Sequence, residues 1–234
     1  MVPTVPCPSS RSWSDVGARG KSERARNEKH RRQKPTILVI AEGETELGYL
    51  GHVKSRLRAK WIIVKKPHCN DPRGLVRAAI RERRVLEGDG LDVHAWVVFD
   101  AESRECEEGR GYQAAMAEAQ RKGIRVANSS PSFEYWLLLH FSPGAQPQTP
   151  AEAVNALRRG GGITGYEKPN LPHDALWTIF ATGKPTAAAE DRRELVESCG
   201  DDPRTARPVT YVDQLMGEIC EVAGIELGVL QSPS

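Results

Sequence analysis

The sequence predicts an α/β protein: a doubly wound, mostly parallel sheet with helices on both faces and a helical C-terminal extension. Short apolar runs at 36–41, 61–64, 93–100 and 124–127 alternate with stretches of helical character. Those runs are close to continuously apolar, as strands buried on both faces must be, where a half-exposed strand would alternate apolar with polar. The Asp71-Pro72 step between the second and third runs marks a helix start. Asp caps free N–H groups there, and Pro needs no amide partner at the first helical position.

Residues 1–34 stand apart from this pattern. Pro, Ser and Gly lead into a basic run, Arg19 to Lys34, with eight Lys or Arg against Glu23 and Glu28. Such a segment buries too little apolar area to offset its ordering entropy, so a flexible basic arm is expected. It reads either as a non-specific attractor of nucleic-acid phosphates or as a solvated lead-in to the fold.

The core is assigned to 35–145. Its first strand, 36–41, is followed by a helix near 44–59 and a short strand at 61–64. The helix opened by Asp71-Pro72 runs to about 87, where Gly88-Asp89-Gly90 breaks it, and VHAWVVFD at 93–100 is the third strand. A helix near 111–122 leads to IRVA at 124–127. Residues 146–234 are read as a helical extension packed on this core. Helices are expected near 173–180, 187–198 and 208–223, after a Gly160-Gly161-Gly162 loop.

Composition excludes several classes. A net charge of +2 over 234 residues announces no partner by itself. No apolar run approaches the roughly 18–20 residues of a membrane span, and the N-terminus lacks a signal-peptide core, so no membrane association is expected. Five scattered cysteines with no C-x-x-C pair argue against a zinc cage or a disulfide framework and for a reducing cytoplasm. Thr182-Gly183-Lys184-Pro185 puts Pro where a phosphate-binding loop needs Ser or Thr for the metal. Any use of ATP therefore belongs to another chain.

The chemistry gathers at strand ends. The first strand runs into Glu42-Gly43-Glu44-Thr45-Glu46, and the third ends Phe99-Asp100-Ala101-Glu102. Ligands of open α/β sheets sit outside the carboxyl ends of the strands. If the two strands are neighbours, Glu42, Asp100 and Glu102 converge on one edge. Carboxylates so placed raise one another's pKa unless a cation neutralises them. Oxygen donors without His or Cys select Mg2+ or Mn2+. The other reading is a set of exposed acids at polar strand ends.

A third element is Ser129-Ser130-Pro131-Ser132-Phe133-Glu134-Tyr135-Trp136, continuing to Phe141. Ser130 is expected to cap a helix with Pro131 at its first position. Glu134 then shares a face with Leu137, Leu138 and Phe141, and an acid there needs a partner. The alternatives are stabilisation by the helix dipole, a buried pair with an Arg, a further metal ligand, or a general acid/base. His140, inside a bulky apolar run, reads as a packing residue.

These three elements in this order resemble the RloB family, whose domain is related to the Toprim fold. The matching stretches are ILVIAEGETELGYL, DPRGLV, WVVFDAE and, most specifically, NSSPSFEYWLLLHF at 128–141. GYEKPNL and DPRTARPVTYVDQL are weaker matches, and the likeness spans about 36–218. The resemblance implies a Toprim-like sheet binding Mg2+ through an acid-Gly motif and an Asp-x-Asp motif, and chemistry on phosphodiester bonds. It makes Glu42 the general acid/base and Asp100 and Glu102 metal ligands, with Glu102 standing where the family pattern has Asp. It also implies a role in anti-phage defence, as effector beside a separately encoded AAA/ABC-type ATPase.

Two function classes follow. One is a metal-dependent nuclease acting on RNA or DNA, with Glu42 and Glu134 as acid/base groups. Arg104, Arg110 and Lys168 would hold the nucleic-acid backbone, though all three also fit ordinary surface charges. The other is a non-catalytic binding subunit of an ATPase complex.

Overall fold

Thr36–Ala41 forms β1, and all six of its residues are buried. Continuous apolar side chains suit this position, because the strand has sheet on either side and helices above and below. In the computed structural model the described residues are 34–69, 71–101, 109–159, 162–168, 170–172, 188–191, 193–194 and 208–225, with no side-chain description at 109 and 110. The chain divides after Lys34. Apart from Lys34, the basic arm, 1–34, lies outside the described residues, as do Glu102 and Arg104 and nearly all of the helices expected at 173–180 and 187–198.

The remaining elements follow in order. They are α1 (Glu44–Arg56), β2 (Ile62–Lys65), α2 (Pro72–Gly88), β3 (Val93–Asp100), α3 (Gly109–Lys122) and β4 (Arg125–Ser130). Then come α4 (Phe133–Leu139), α5 (Pro150–Arg159), β5 (Val209–Thr210) and α6 (Val212–Ala223). The sheet order is β2-β1-β3-β4-β5. The first three pairings are parallel, and β5 joins antiparallel. The fold class is the α/β arrangement that the apolar runs predict.

Successive residues of β1 face opposite layers. Ile37, Val39 and Ala41 join Tyr49, Leu50 and Val53 of α1, Phe133 and Trp136 of α4, and Val212, Leu215 and Ile219 of α6. Leu38 and Ile40 join Leu75, Val76 and Ala79 of α2 and Ala115 and Ala119 of α3. The chain leaves β1 towards β2 with its helix on one face and reaches β3 with its helix on the other. β1 and β3 therefore meet at the topological switch point, where open sheets leave a crevice for ligands.

Two local readings are corrected. β4 continues to Ser130 because Ser129 and Ser130 pair with Thr210 and Val209, and the Ser129 and Thr210 hydroxyls lie 2.7 Å apart. Ser130 therefore belongs to the strand, the Ser130–Pro131 peptide is cis, and Ser132 is the N-cap of α4. The C-terminal region also does more than pack on the core. It donates β5 to the sheet and the apolar face of α6 to the main apolar cluster.

α2 starts as its sequence dictates. Asp71 accepts a hydrogen bond from the Gly74 amide at 2.8 Å, and Pro72 follows. α6 is tied to the opposite end of the strands by Glu218, which accepts from His94, Trp96 and Arg125. Burial would raise the Glu218 pKa, but these three donors outweigh it and hold the carboxyl below its ordinary value.

Candidate functional site

β1 and β3 are direct neighbours, with Ala41 opposite Val98, so the residues that follow them emerge side by side. The Glu42 amide donates to the Val98 carbonyl at 3.1 Å. The Asp100 amide donates back to Glu42 Oε2 at 3.3 Å. Asp100 Oδ1 in turn accepts from the Phe133 amide at 2.7 Å, which locks the first turn of α4 against the end of β3. Glu42 and Asp100 thus share one edge of the sheet, each only partly buried.

α4 brings Glu134 to the same place. Its carboxylate is fully buried and accepts from Ser132 Oγ at 2.6 Å and from the Tyr166 hydroxyl at 3.0 Å. It also pairs with Lys168 Nζ at 3.1 Å. The partner that an acid on this face requires is therefore a lysine and a tyrosine from the segment after α5. Lys168, expected to hold nucleic acid, commits its ammonium to Glu134 while its side chain stays about half exposed. Arg110 lies at the start of α3, and its side chain is outside the described residues.

Glu46 is a member of the cluster that sequence reasoning missed. It sits in the first turn of α1, where an acid is ordinary helix-dipole chemistry, yet it is only 4% exposed. Its carboxylate folds back over Gly43. A Cβ at that position would meet Glu46 Oε2 at 2.3 Å, so the glycine of the Glu-Gly-Glu stretch is needed for close approach. Edge-to-face contacts of Tyr49 with Phe133 and Trp136, at 5.6 and 6.4 Å between ring centroids, clamp α1 on α4. They keep Glu46 and Glu134 in one neighbourhood, each contact contributing about 0.5–1.5 kcal/mol beyond burial.

The electrostatics follow from this crowding. Glu42, Glu46, Asp100 and Glu134 bring four carboxyl groups, and Lys168 brings one ammonium. Burial, then Glu46, Glu134 and Glu42, pushes the Asp100 carboxyl well above the usual carboxylate range, with Lys168 opposing. Burial likewise carries Glu46 up to about 7, helped by Glu134 and Glu42. Burial alone would lower Lys168, but Glu134, Asp100 and Glu46 outweigh it and raise its pKa, so it is fully charged. The site holds more acid than its own lysine can neutralise.

A family model described as RloB-like protein matches residues 37–219, a span that includes every one of these side chains. The chain belongs to the RloB-like family. No curated protein and no solved structure matches it significantly. Among the described residues no helix is long and apolar enough to cross a membrane.

Among the described residues the donor chemistry of this RloB-like site suits a hard divalent cation: all-oxygen, in excess negative charge, with no Cys or His. Several oxygens are already engaged. Asp100 Oδ1 is held by Phe133, and Glu134 by Ser132, Tyr166 and Lys168. Among the described residues no group of three or more His, Cys, Asp or Glu is arranged around one point as a metal would require. Glu42 and Asp100 would be the protein's first two ligands, and Glu102, two residues beyond Asp100, lies outside the described part.

Proposed function

We propose that this RloB-like protein is a metal-dependent nuclease that cleaves phosphodiester bonds of RNA or DNA. It would serve as an effector in anti-phage defence, working with a separate ATPase. The observation that carries the reading is the meeting of Glu42 and Asp100 at the switch point of the sheet. They sit within a group of four carboxyl groups that one lysine leaves undercompensated.

Glu42, Asp100 and Glu102 would hold Mg2+ or Mn2+, which would supply charge stabilisation for the phosphoryl group and a more acidic bound water. The chain's own residues do the rest. Glu42, partly exposed, receives or returns the proton of the attacking hydroxyl. Asp100 is fixed through Oδ1 by the Phe133 amide, which leaves its second oxygen as the one to offer a cation. Glu134 is too buried to meet substrate and works by positioning. It holds the half-exposed Lys168, whose ammonium would reach a non-bridging phosphate oxygen with the donors left over from the Glu134 pair. Glu46, its carboxyl pushed up to about 7 chiefly by burial, would add negative charge beside a cation once it ionises.

Purified protein with Mg2+ or Mn2+ is assayed against labelled tRNA, mRNA and DNA. Cleavage by wild type, with at least about a hundredfold loss in Glu42→Gln, is expected, the usual size for a general acid/base group. Equal cleavage by Glu42→Gln and wild type would remove the assignment. The second reading, a binding subunit of an ATPase complex, draws on the lack of an assembled three-ligand group among the described residues. It is favoured if millimolar Mg2+ and Mn2+ give no binding heat while the ATPase associates tightly.

A further inference from the structure

A second feature lies on the same edge of the sheet, beyond the acid cluster. Past the end of β2 the chain and the outer face of α2 enclose an open groove of about 650 Å³. Its charged lining is Lys65, Lys66, His68, Arg77, Arg81 and Glu82. Leaving His68 aside, four cations less one carboxylate leave a charge of +3 in a chain whose total is +2. The cationic side chains are exposed.

Folding does not call for this arrangement. Arg77 and Arg81 are one helical turn apart, where like charges oppose the helix by a few tenths of a kcal/mol. Arg81 has no ion pair among the described residues. Lys65 is paired with Glu82 at 2.5 Å, Lys66 with Glu44 at 2.8 Å and Arg77 with Glu118 at 3.8 Å. These are solvent-exposed pairs of the kind that contribute little and exchange readily. A polyanion entering the groove would replace them at small cost.

The geometry favours a polymer backbone over a small phosphate. The helix start beside the groove is already used: Asp71 takes the Gly74 amide, and Pro72 has none to offer. Gly74 cannot gain a side chain, because a Cβ would meet Asp71 Oδ2 at 2.5 Å and Cys69 at 2.9 Å. Recognition therefore falls to separated, exposed cations along a trough, which suits successive phosphates. Ile40 floors the groove two residues before Glu42, and the Lys66–Glu44 pair joins its rim to the first turn of α1. From the end of β2 to the end of β3 is two strand spacings, about 10 Å. That is a few phosphates along a strand.

We infer that the groove between β2 and α2 is the track that holds the phosphodiester backbone of the nucleic acid whose cleavage is proposed above. The inference rests on that reading for its substrate class. Binding is measured by fluorescence anisotropy in EDTA, which prevents cleavage, with labelled single-stranded RNA, single-stranded DNA and duplex DNA over a salt series. Arg77→Gln/Arg81→Gln is compared with wild type and with Lys54→Gln/Lys60→Gln. The latter removes the same charge from exposed positions near the other edge of the sheet.

Removing one phosphate-binding cation lowers the salt slope by about 0.7 on single strands and about 0.9 on duplex. Removing two weakens binding roughly 25- to 60-fold at about 0.1 M salt, and the control pair stays within a few-fold of wild type. Should the arginine pair fail to fold, Lys65→Gln/Lys66→Gln is read the same way. Unchanged affinity in the groove variants, or equal weakening in groove and control variants, overturns the track while leaving the nuclease assignment standing. Failure of wild type to bind any of the three ligands overturns both. Groove-dependent binding without cleavage in Mg2+ upholds the track and removes the nuclease.

Discussion

Replacing Glu46 by Gln isolates the cost of burying an ionisable carboxyl within the acid cluster. Glu46 is nearly buried, and its pKa rises from 4.5 to about 7 on folding. A raised carboxyl favours the folded state most when protonated, so this advantage is complete at pH below about 4.5 and is lost as pH rises through about 7. Integrating the proton uptake, wild type carries a penalty of about 1 kcal/mol near pH 5 and about 3 kcal/mol near pH 8. Glu46→Gln removes the ionisation and keeps the shape. Any constant packing effect of the substitution cancels between the two pH values. Urea unfolding in EDTA should therefore show the variant gaining about 2–3 kcal/mol on wild type between about pH 5 and pH 8. Millimolar Mg2+ should shrink that gain, because a bound cation stabilises the charged form that burial and then the neighbouring carboxylates disfavour. A stability difference that does not change with pH would refute the reasoning.

Further outcomes follow from neighbouring groups. Tyr166→Phe removes a donor from the fully buried Glu134 and should cost about 1–3 kcal/mol in urea unfolding. Asp71→Ala leaves the Gly74 amide uncapped and should cost about 1 kcal/mol, with faster amide exchange confined to the first turn of α2. Glu218 has a lowered pKa in the folded state, so its contribution is present above its unfolded pKa and lost as pH falls through the folded one. The stability gap between wild type and Glu218→Gln should accordingly be widest near neutrality and close on acidification. A gap that widens in acid would contradict the assigned donors.

How much of this was legible in the sequence varies with the physics of each element. β1 and β3 announce themselves because strands buried on both faces need unbroken apolar runs, and the acids that end them mark the sheet edge. Asp71-Pro72 is legible for a local reason, since capping involves a few adjacent residues. β5 is not legible: Val209-Thr210 is two residues long and becomes a strand only through Ser129 and Ser130, some eighty positions away. That pairing is also why the cap of α4 moves from Ser130 to Ser132. Glu46 carries no signal in one dimension, because a first-turn acid is what any helix start prefers, and only its fold over Gly43 draws it into the site. The basic groove escapes for a similar reason. Its cations come from 65–66 and 77–81, and an overall charge of +2 conceals their concentration on one concave wall.

Calorimetric titration of Mn2+ into wild type and Asp100→Asn tests the central claim most directly. Asn preserves the oxygen that accepts from the Phe133 amide but forfeits the charge. Saturable binding by wild type, weakened at least about tenfold in Asp100→Asn, is the expected result, since losing even an outer-shell partner of a metal ligand costs about 10- to 100-fold. Absence of binding by wild type, or equal binding by both, would contradict the account.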